Sequence, residues 1–206
     1  MSKSDKGVVV KGRERKVVGV LAGLGSVDWW KWSFLFLVFG VAGWIFETVA
    51  IVVTDQELMV RGLIFVTEGG MVWGMPILVM YGIGGVILMW MGRILGKTWQ
   101  VFWLGGVVAM TIFELVVSYL MEWLTGYMYW VYRTPLNFQG RISVLSSVAW
   151  GVLAVLVVKW LGPKMEGMYE KVAKRRYFKL VVVVLLAWTA ICVGVREGTN
   201  MGLIGG

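Results

Sequence analysis

The chain has no histidine and a single cysteine, Cys192. An imidazole general base, a zinc site built on His or Cys and an intrachain disulfide are all excluded by that shortage. Charge is also scarce: 16% of the 206 residues are charged, 59% are apolar, and the mean hydropathy is +0.78. So few charges cannot coat a water-soluble globule of this size, and they cluster between long uncharged stretches whose remaining solvent is lipid. The formal charge of +8 reads as orientation and contact with anionic headgroups, not as a nucleic-acid interface.

Five stretches are long enough, at about 20 apolar residues, to cross a hydrocarbon layer of about 30 Å. They run near Ser33 to Val53, Met71 to Met91, Trp99 to Met121, Ile142 to Leu161 and Phe178 to Val195. The expected fold is an all-α, polytopic membrane protein of about five transmembrane helices. Four regions organise it: a basic and interfacial segment over residues 1–32, a four-helix core over 33–161, a basic amphipathic segment over 162–177, and a fifth helix with a short tail over 178–206. The apolar run from Val17 to Leu24 leads through Asp28, Trp29, Trp30, Lys31 and Trp32 into the first span, which predicts an interfacial segment and not a cleaved leader.

Sixteen of the 20 Lys and Arg residues fall on one side of such a topology, leaving Arg61, Arg133, Arg141 and Arg196 on the other. Positive charge is retained on the cytoplasmic side, so the N-terminus is expected inside and the C-terminus outside, in a multipass protein of a cell membrane. The stretch from Lys159 to Lys179 reads as a short amphipathic helix on the inner surface. Between Gly62 and Gly92 the only charge is Glu68, which interrupts the apolar run together with Gly69 and Gly70. Two readings stay open there: a partly inserted segment that bends into the second span, or an ordinary outer loop.

An ionised side chain near the bilayer centre costs at least about 2.5 to 3.5 kcal/mol, so carboxylates within spans need a partner or a task. Glu47 and Glu114 each lie about 21 to 23 Å along spans running in the same direction, and so share a depth. Ser118 and Glu122 follow Glu114 at intervals of four residues, on one helical face. Arg141 enters the fourth span just ahead of Ser143, Ser146 and Ser147, and an Arg fork can hold two carboxylate oxygens. The candidate site is therefore Glu47, Glu114, Ser118, Glu122, Arg141, Ser146 and Ser147, opening outward, with Glu68 and Asn137 as a candidate outer gate. Three acids facing one base would leave negative charge to compensate, which favours a cation or proton; the alternative is a cluster that only fixes helix register.

Several other features carry no chemistry. Gly92, Arg93, Ile94, Leu95, Gly96, Lys97 and Thr98 imitate a phosphate-binding loop with one residue too few between the glycines and no preceding strand. Gly82, Gly84 and Gly85 lie within an apolar span, as do the other small residues Gly40, Gly43, Gly105, Ala109 and Gly151, and read as helix-packing positions. Cys192 has no charged helper and reads as packing. No catalytic set, metal site or bound cofactor is expected, and the chain is not expected to be an enzyme.

One combination of motifs is more specific. Gly43, Trp44 and Glu47, then Arg61 and Gly62, then Glu114, Ser118 and Glu122, and finally Pro135, Asn137, Gly140, Arg141 and Ile142 followed by Ser147, Trp150 and Gly151, resemble the ABC-transporter type IV family. These are CmpB-like multipass bacterial membrane proteins, and the likeness covers about Gly40 to Pro163. The sequence departs from the family pattern at Pro76, Tyr81 and Gly82, where a compact turn is loosened, and at Val131, where Tyr129, Trp130 and Tyr132 would flank an acid. The resemblance implies a permease-like transport subunit of the bacterial cytoplasmic membrane, embedded in the lipid bilayer and partnered with a separate ATPase subunit, while five spans are few to enclose a pathway and so point to a homo- or hetero-oligomer. The alternatives are a membrane scaffold or sensor and a membrane-embedded enzyme acting on lipid-linked substrates.

Overall fold

The computed structural model describes residues 28–55, 64–67, 70–73, 76–95, 98–201 and 203. The chain divides into two units, residues 1–30 and 31–206. Of the first, only its end is described, where the Asp28 carboxylate accepts the Trp30 N–H at 3.1 Å. Helix α1 runs Trp29–Asp55, α2 Val79–Ile94, α3 Trp99–Thr125, α4 Val144–Leu156, α5 Gly162–Val172 and α6 Phe178–Asn200. Two small hairpins intervene, β1 (Ile64–Thr67) with β2 (Gly70–Trp73) and β3 (Asn137–Phe138) with β4 (Ile142–Ser143).

Among the described residues, four helical stretches are long and apolar enough to cross a membrane: Trp29–Val49, Trp99–Thr125, Val144–Val172 and Phe178–Thr199. The protein is thus a helical, multipass membrane protein. Successive helices run up and down between two ends. Lys31, Arg93 and Glu166 meet at one, which we call the basic end. The 126–142 connection lies at the other, the loop end, where Arg196 near the close of α6 stands 5.5 Å from the Tyr129 ring.

The second predicted span is different from expectation. Met71 to Trp73 belong to a strand, antiparallel to β1 with Thr67 opposite Gly70, and the helix begins only at Val79. Its 16 residues make a rod of about 24 Å, short of the hydrocarbon thickness. The extended segment Pro76 to Leu78 lies against the middle of α1: the Leu78 N–H donates to the Gly40 carbonyl at 3.1 Å, and a Cβ on Gly40 would meet Ile77 at 2.6 Å. Non-helical backbone at this depth is tolerated because protein satisfies its polar groups. Gly62 and Glu68 lie outside the described residues.

The fourth span also differs. A π-turn over Val157–Leu161 joins α4 to α5 without a break, so the expected surface helix is the continuation of the span. Pro163 would clash with the carbonyl four residues earlier in a regular helix, and the widened turn lies over that carbonyl, Lys159. The 29 residues of Val144–Val172 reach about 43 Å, so the polar α5 projects past the hydrocarbon.

Lipid supplies no hydrophobic force between helices, so close packing at small residues must hold them together. Tyr81 of α2 fills the place of a side chain at Gly43 of α1, while Phe36 and Phe39 of α1 do the same at Gly82 and Gly85 of α2. On α3, Gly106 abuts Ala154 of α4, and Gly151 of α4 receives Val107 and Trp103. The core holds Leu35, Phe39, Leu88, Met89, Met110, Trp150, Ala154 and Val157. The opposite stripe of α3, Leu104, Val108, Ile112, Val116, Leu120 and Leu124, is exposed, as a lipid-facing surface must be.

Candidate functional site

The buried stripe of α3 is a strict four-residue ladder: Phe102, Gly106, Met110, Glu114 and Ser118. Side chains four apart stack on one helical face, so this ladder carries the apolar core directly into polar groups toward the loop end. Glu122 is the next rung. The change of chemistry comes at Glu114, which is only 2% exposed.

The opposite wall is made by the second hairpin and the start of α4. Phe138 to Arg141 form a tight turn with positive φ at both central residues, 52° at Gln139 and 70° at Gly140, closed by the Arg141 N–H on the Phe138 carbonyl at 2.9 Å. This type I′ geometry matches the twist of a two-stranded hairpin and favours glycine. A Cβ at Gly140 would additionally meet Val131 at 2.9 Å. The Asn137 carboxamide clamps the turn, accepting the Gly140 N–H and donating to the Thr134 carbonyl, both at 2.8 Å. Ser143 then caps α4 reciprocally with Ser146. The Asn-x-x-Gly-Arg run is therefore a device that delivers Arg141 to the face of α3.

Arg141 is buried, donates to Ser118 at 3.1 Å and forms an ion pair with Glu122. Its guanidinium lies 3.9 Å from the centre of the Tyr119 ring, and the Tyr119 hydroxyl donates to Gln139 at 2.6 Å. Trp130 donates to the Arg141 carbonyl at 2.9 Å. The Arg141 Nε is a buried donor with no acceptor among the described residues.

Glu114 is held differently. The Tyr132 hydroxyl donates to Oε1 at 2.6 Å, Ser146 reaches Oε2 at 3.1 Å, and the Trp150 indole is a further donor to the carboxylate. Burial, and then the hydrogen bond and charge of Glu114, hold the Tyr132 phenol above its ordinary range, so it remains a donor. Ser146 has one hydroxyl proton and a second acceptor, the Ser143 carbonyl at 3.0 Å. It can serve only one of them at a time.

The expected single cluster around Arg141 is thus two adjoining ones. The ion pair of Arg141 is to Glu122, while the Tyr132 and Ser146 hydroxyls and the Trp150 indole hold Glu114. Ser147 lies below both, accepting from Thr111 at 2.7 Å. Glu47 is half-buried on α1, one turn beyond the Gly43 that abuts Tyr81, whereas the partners of Arg141 and Glu114 come from α3, α4 and the loop. Asn137 is exposed and engaged with its own turn, and Glu68 is outside the described residues. Tyr132, Tyr119, Thr111 and Trp150 complete the site beyond what the sequence pattern indicates. The first three are ordinary loop or span residues in sequence; only the position of Trp150 one turn after Ser146 is a usable signal.

No group of three or more metal-ligating His, Cys, Asp or Glu side chains occurs among the described residues. No curated protein and no solved structure matches the chain. A family model does match, over residues 34–194, and its span includes every helix and hairpin that builds this site. Since that match covers most of the chain, with its Glu114 ladder and its Asn-x-x-Gly-Arg turn inside it, the protein belongs to the family described as Putative ABC-transporter type IV.

Proposed function

We propose that the chain is a non-enzymatic, permease-like subunit of a membrane transport system, and that the Glu114 and Arg141 clusters form its site for an ion, a proton or a small solute. The observation that carries this reading is the isolation of Glu114. It is a carboxyl buried within a span, served by hydroxyl and indole donors, beside a buried Arg141 Nε with no acceptor among the described residues. Ionisable groups in such settings are expensive and commonly mark a pathway. The Ser146 hydroxyl can face either Glu114 or the Ser143 carbonyl, which suits a carboxyl that changes state. Glu122 is partly exposed, which supports access from the loop end.

The crowding of Lys and Arg at the basic end favours that end facing the cytoplasm of a bacterial cell, with the site toward the outside. So few helices enclose little space, and the reading therefore includes further subunits and, from the family description, a separate ATPase. A scaffold is the second reading, supported by the pairing of Arg141 with Glu122 and Ser118, which could lock helix register alone. Flux measurements in proteoliposomes holding the full chain and its partners decide between them. Glu114→Gln and Arg141→Ala should abolish transport while membrane insertion persists; unchanged flux with a lowered melting temperature would refute the transport site.

A further inference from the structure

A second feature lies away from this site. Between α1 and α6 runs a crevice of about 740 Å³. Along α1 its lining recurs at three- and four-residue steps from Phe34 to Ile45, and along α6 from Phe178 to Leu185. One helical stripe from each side therefore faces the gap. The two helices are pinned together at the basic end, where Phe34, Tyr169 and Phe178 meet at ring-centre distances of 5.7 to 6.0 Å. Beyond that clasp the crevice continues between them, with Leu37 and Val182 buried in its wall.

The lining is apolar throughout; Arg175 and Tyr177, in the turn before α6, border it at its basic end with their carbon atoms, and the exposed Arg175 head stands beyond the wall. Arg175 makes no ion pair among the described residues, and Lys171, Lys174 and Arg176 surround it in sequence with Glu170 as the only nearby acid. The α1 stripe measures about 16 Å, which is about half of the hydrocarbon thickness. Ile77, part of the extended segment that crosses α1 at Gly40, also lines the crevice, and the α1 stripe ends at Ile45. A helix from a second copy would call for a full-length groove. A slot one leaflet deep, oily along its length and cationic at its mouth, has the form of one acyl chain beneath one anionic headgroup.

We propose that this crevice is a binding site for an anionic phospholipid of the leaflet at the basic end, with an acyl chain between α1 and α6 and the phosphate at Arg175. Native mass spectrometry of the detergent-purified full chain, titrated with phosphatidylglycerol and with phosphatidylcholine of identical chains, tests it. The parent protein should retain phosphatidylglycerol in preference to phosphatidylcholine. Arg175→Gln should weaken retention of phosphatidylglycerol about fivefold, the share of one basic residue at an anionic surface. Arg175→Lys should restore most of it, Ala42→Phe should expel either lipid by filling the slot, and Lys164→Gln, outside the crevice, should change nothing. Equal retention of the two lipids by the parent, or parent-like binding in both Arg175→Gln and Ala42→Phe, overturns the proposal. So does a parent dimer that carries no lipid and is dissolved by Ala42→Phe, which would assign the slot to a second copy. Circular dichroism and gel filtration of each variant separate loss of the lipid from loss of the fold.

Discussion

The phenol of Tyr132 donates to Oε1 of Glu114 at 2.6 Å, so a loop residue supports a carboxyl set within a membrane span. Removing that donor leaves a buried acceptor short of a partner, which costs about 1 to 3 kcal/mol. Tyr132→Phe should therefore lower thermal stability in detergent by that amount and impair transport, with the loop still folded. Because Ser146 serves the same carboxylate, Tyr132→Phe combined with Ser146→Ala should cost more than the sum of the two single changes. Strict additivity, read from a double-mutant cycle on unfolding, would show that the two donors act independently.

Arg141 and Glu122 supply a second, separable test. Breaking a buried pair by deleting one member costs about 3 to 5 kcal/mol, since the other charge is left uncompensated, whereas deleting both charges together is far milder. Glu122 is partly exposed and Arg141 is not. Arg141→Gln should thus destabilise more gently than Glu122→Gln, which strands a guanidinium inside the protein. The double variant should recover much of the Glu122→Gln loss, as measured by melting in detergent. Greater loss in Arg141→Gln than in Glu122→Gln would mean that the carboxylate, not the guanidinium, is the group that depends on its partner.

Much of this arrangement is written in the sequence at the level of period and charge. The four-residue spacing of Glu114, Ser118 and Glu122 is enough to put them on one face, and the position of Arg141 beside three serines is enough to bring it near that face. Which donor meets which acid is not legible, because pairing depends on a turn that rotates Arg141 toward Glu122 and on Tyr132 folding back from the loop. Hydropathy locates four helices with small errors at their ends. It fails over Met71 to Trp73, whose apolar character suits a strand as well as a span, and past Leu161, where charge signals polarity but not whether the helix stops.

Two glycines with left-handed backbones make a matched pair. Gly126 ends α3 at φ 81°, and a Cβ there would meet nothing within 4 Å, while a Cβ on Gly140, at φ 70°, would stand 2.9 Å from Val131. A non-glycine residue in this region costs about 1 to 2 kcal/mol from the backbone alone. Gly126→Ala should show that backbone cost and little else. Gly140→Ala should add a steric cost and displace the turn that carries Arg141, so it alone should depress transport. Equal effects of the two substitutions on melting and on flux would show that the turn does not position Arg141.

At the basic end Glu166 accepts from Arg93 at 2.9 Å and pairs with Lys31 at 2.8 Å, so α1, α2 and α5 meet on one carboxylate. Arg93 also stacks 4.6 Å from the Trp32 ring. Burial pushes the Glu166 carboxyl up, but the hydrogen bonds and charges of Lys31 and Arg93 together outweigh it and hold the group below the ordinary glutamate value of 4.5. A depressed acid binds fewer protons folded than unfolded, so its contribution is present above the ordinary value and is lost as pH falls through the folded one. The parent protein should therefore lose melting temperature on acidification below about pH 4.5. Glu166→Gln should melt lower than the parent at neutral pH and show a flatter acid limb, so that the two curves converge at low pH. Scanning fluorimetry in one detergent across that range reads the difference directly, and parallel curves would show that the three-helix junction draws its stability from packing and not from this carboxylate.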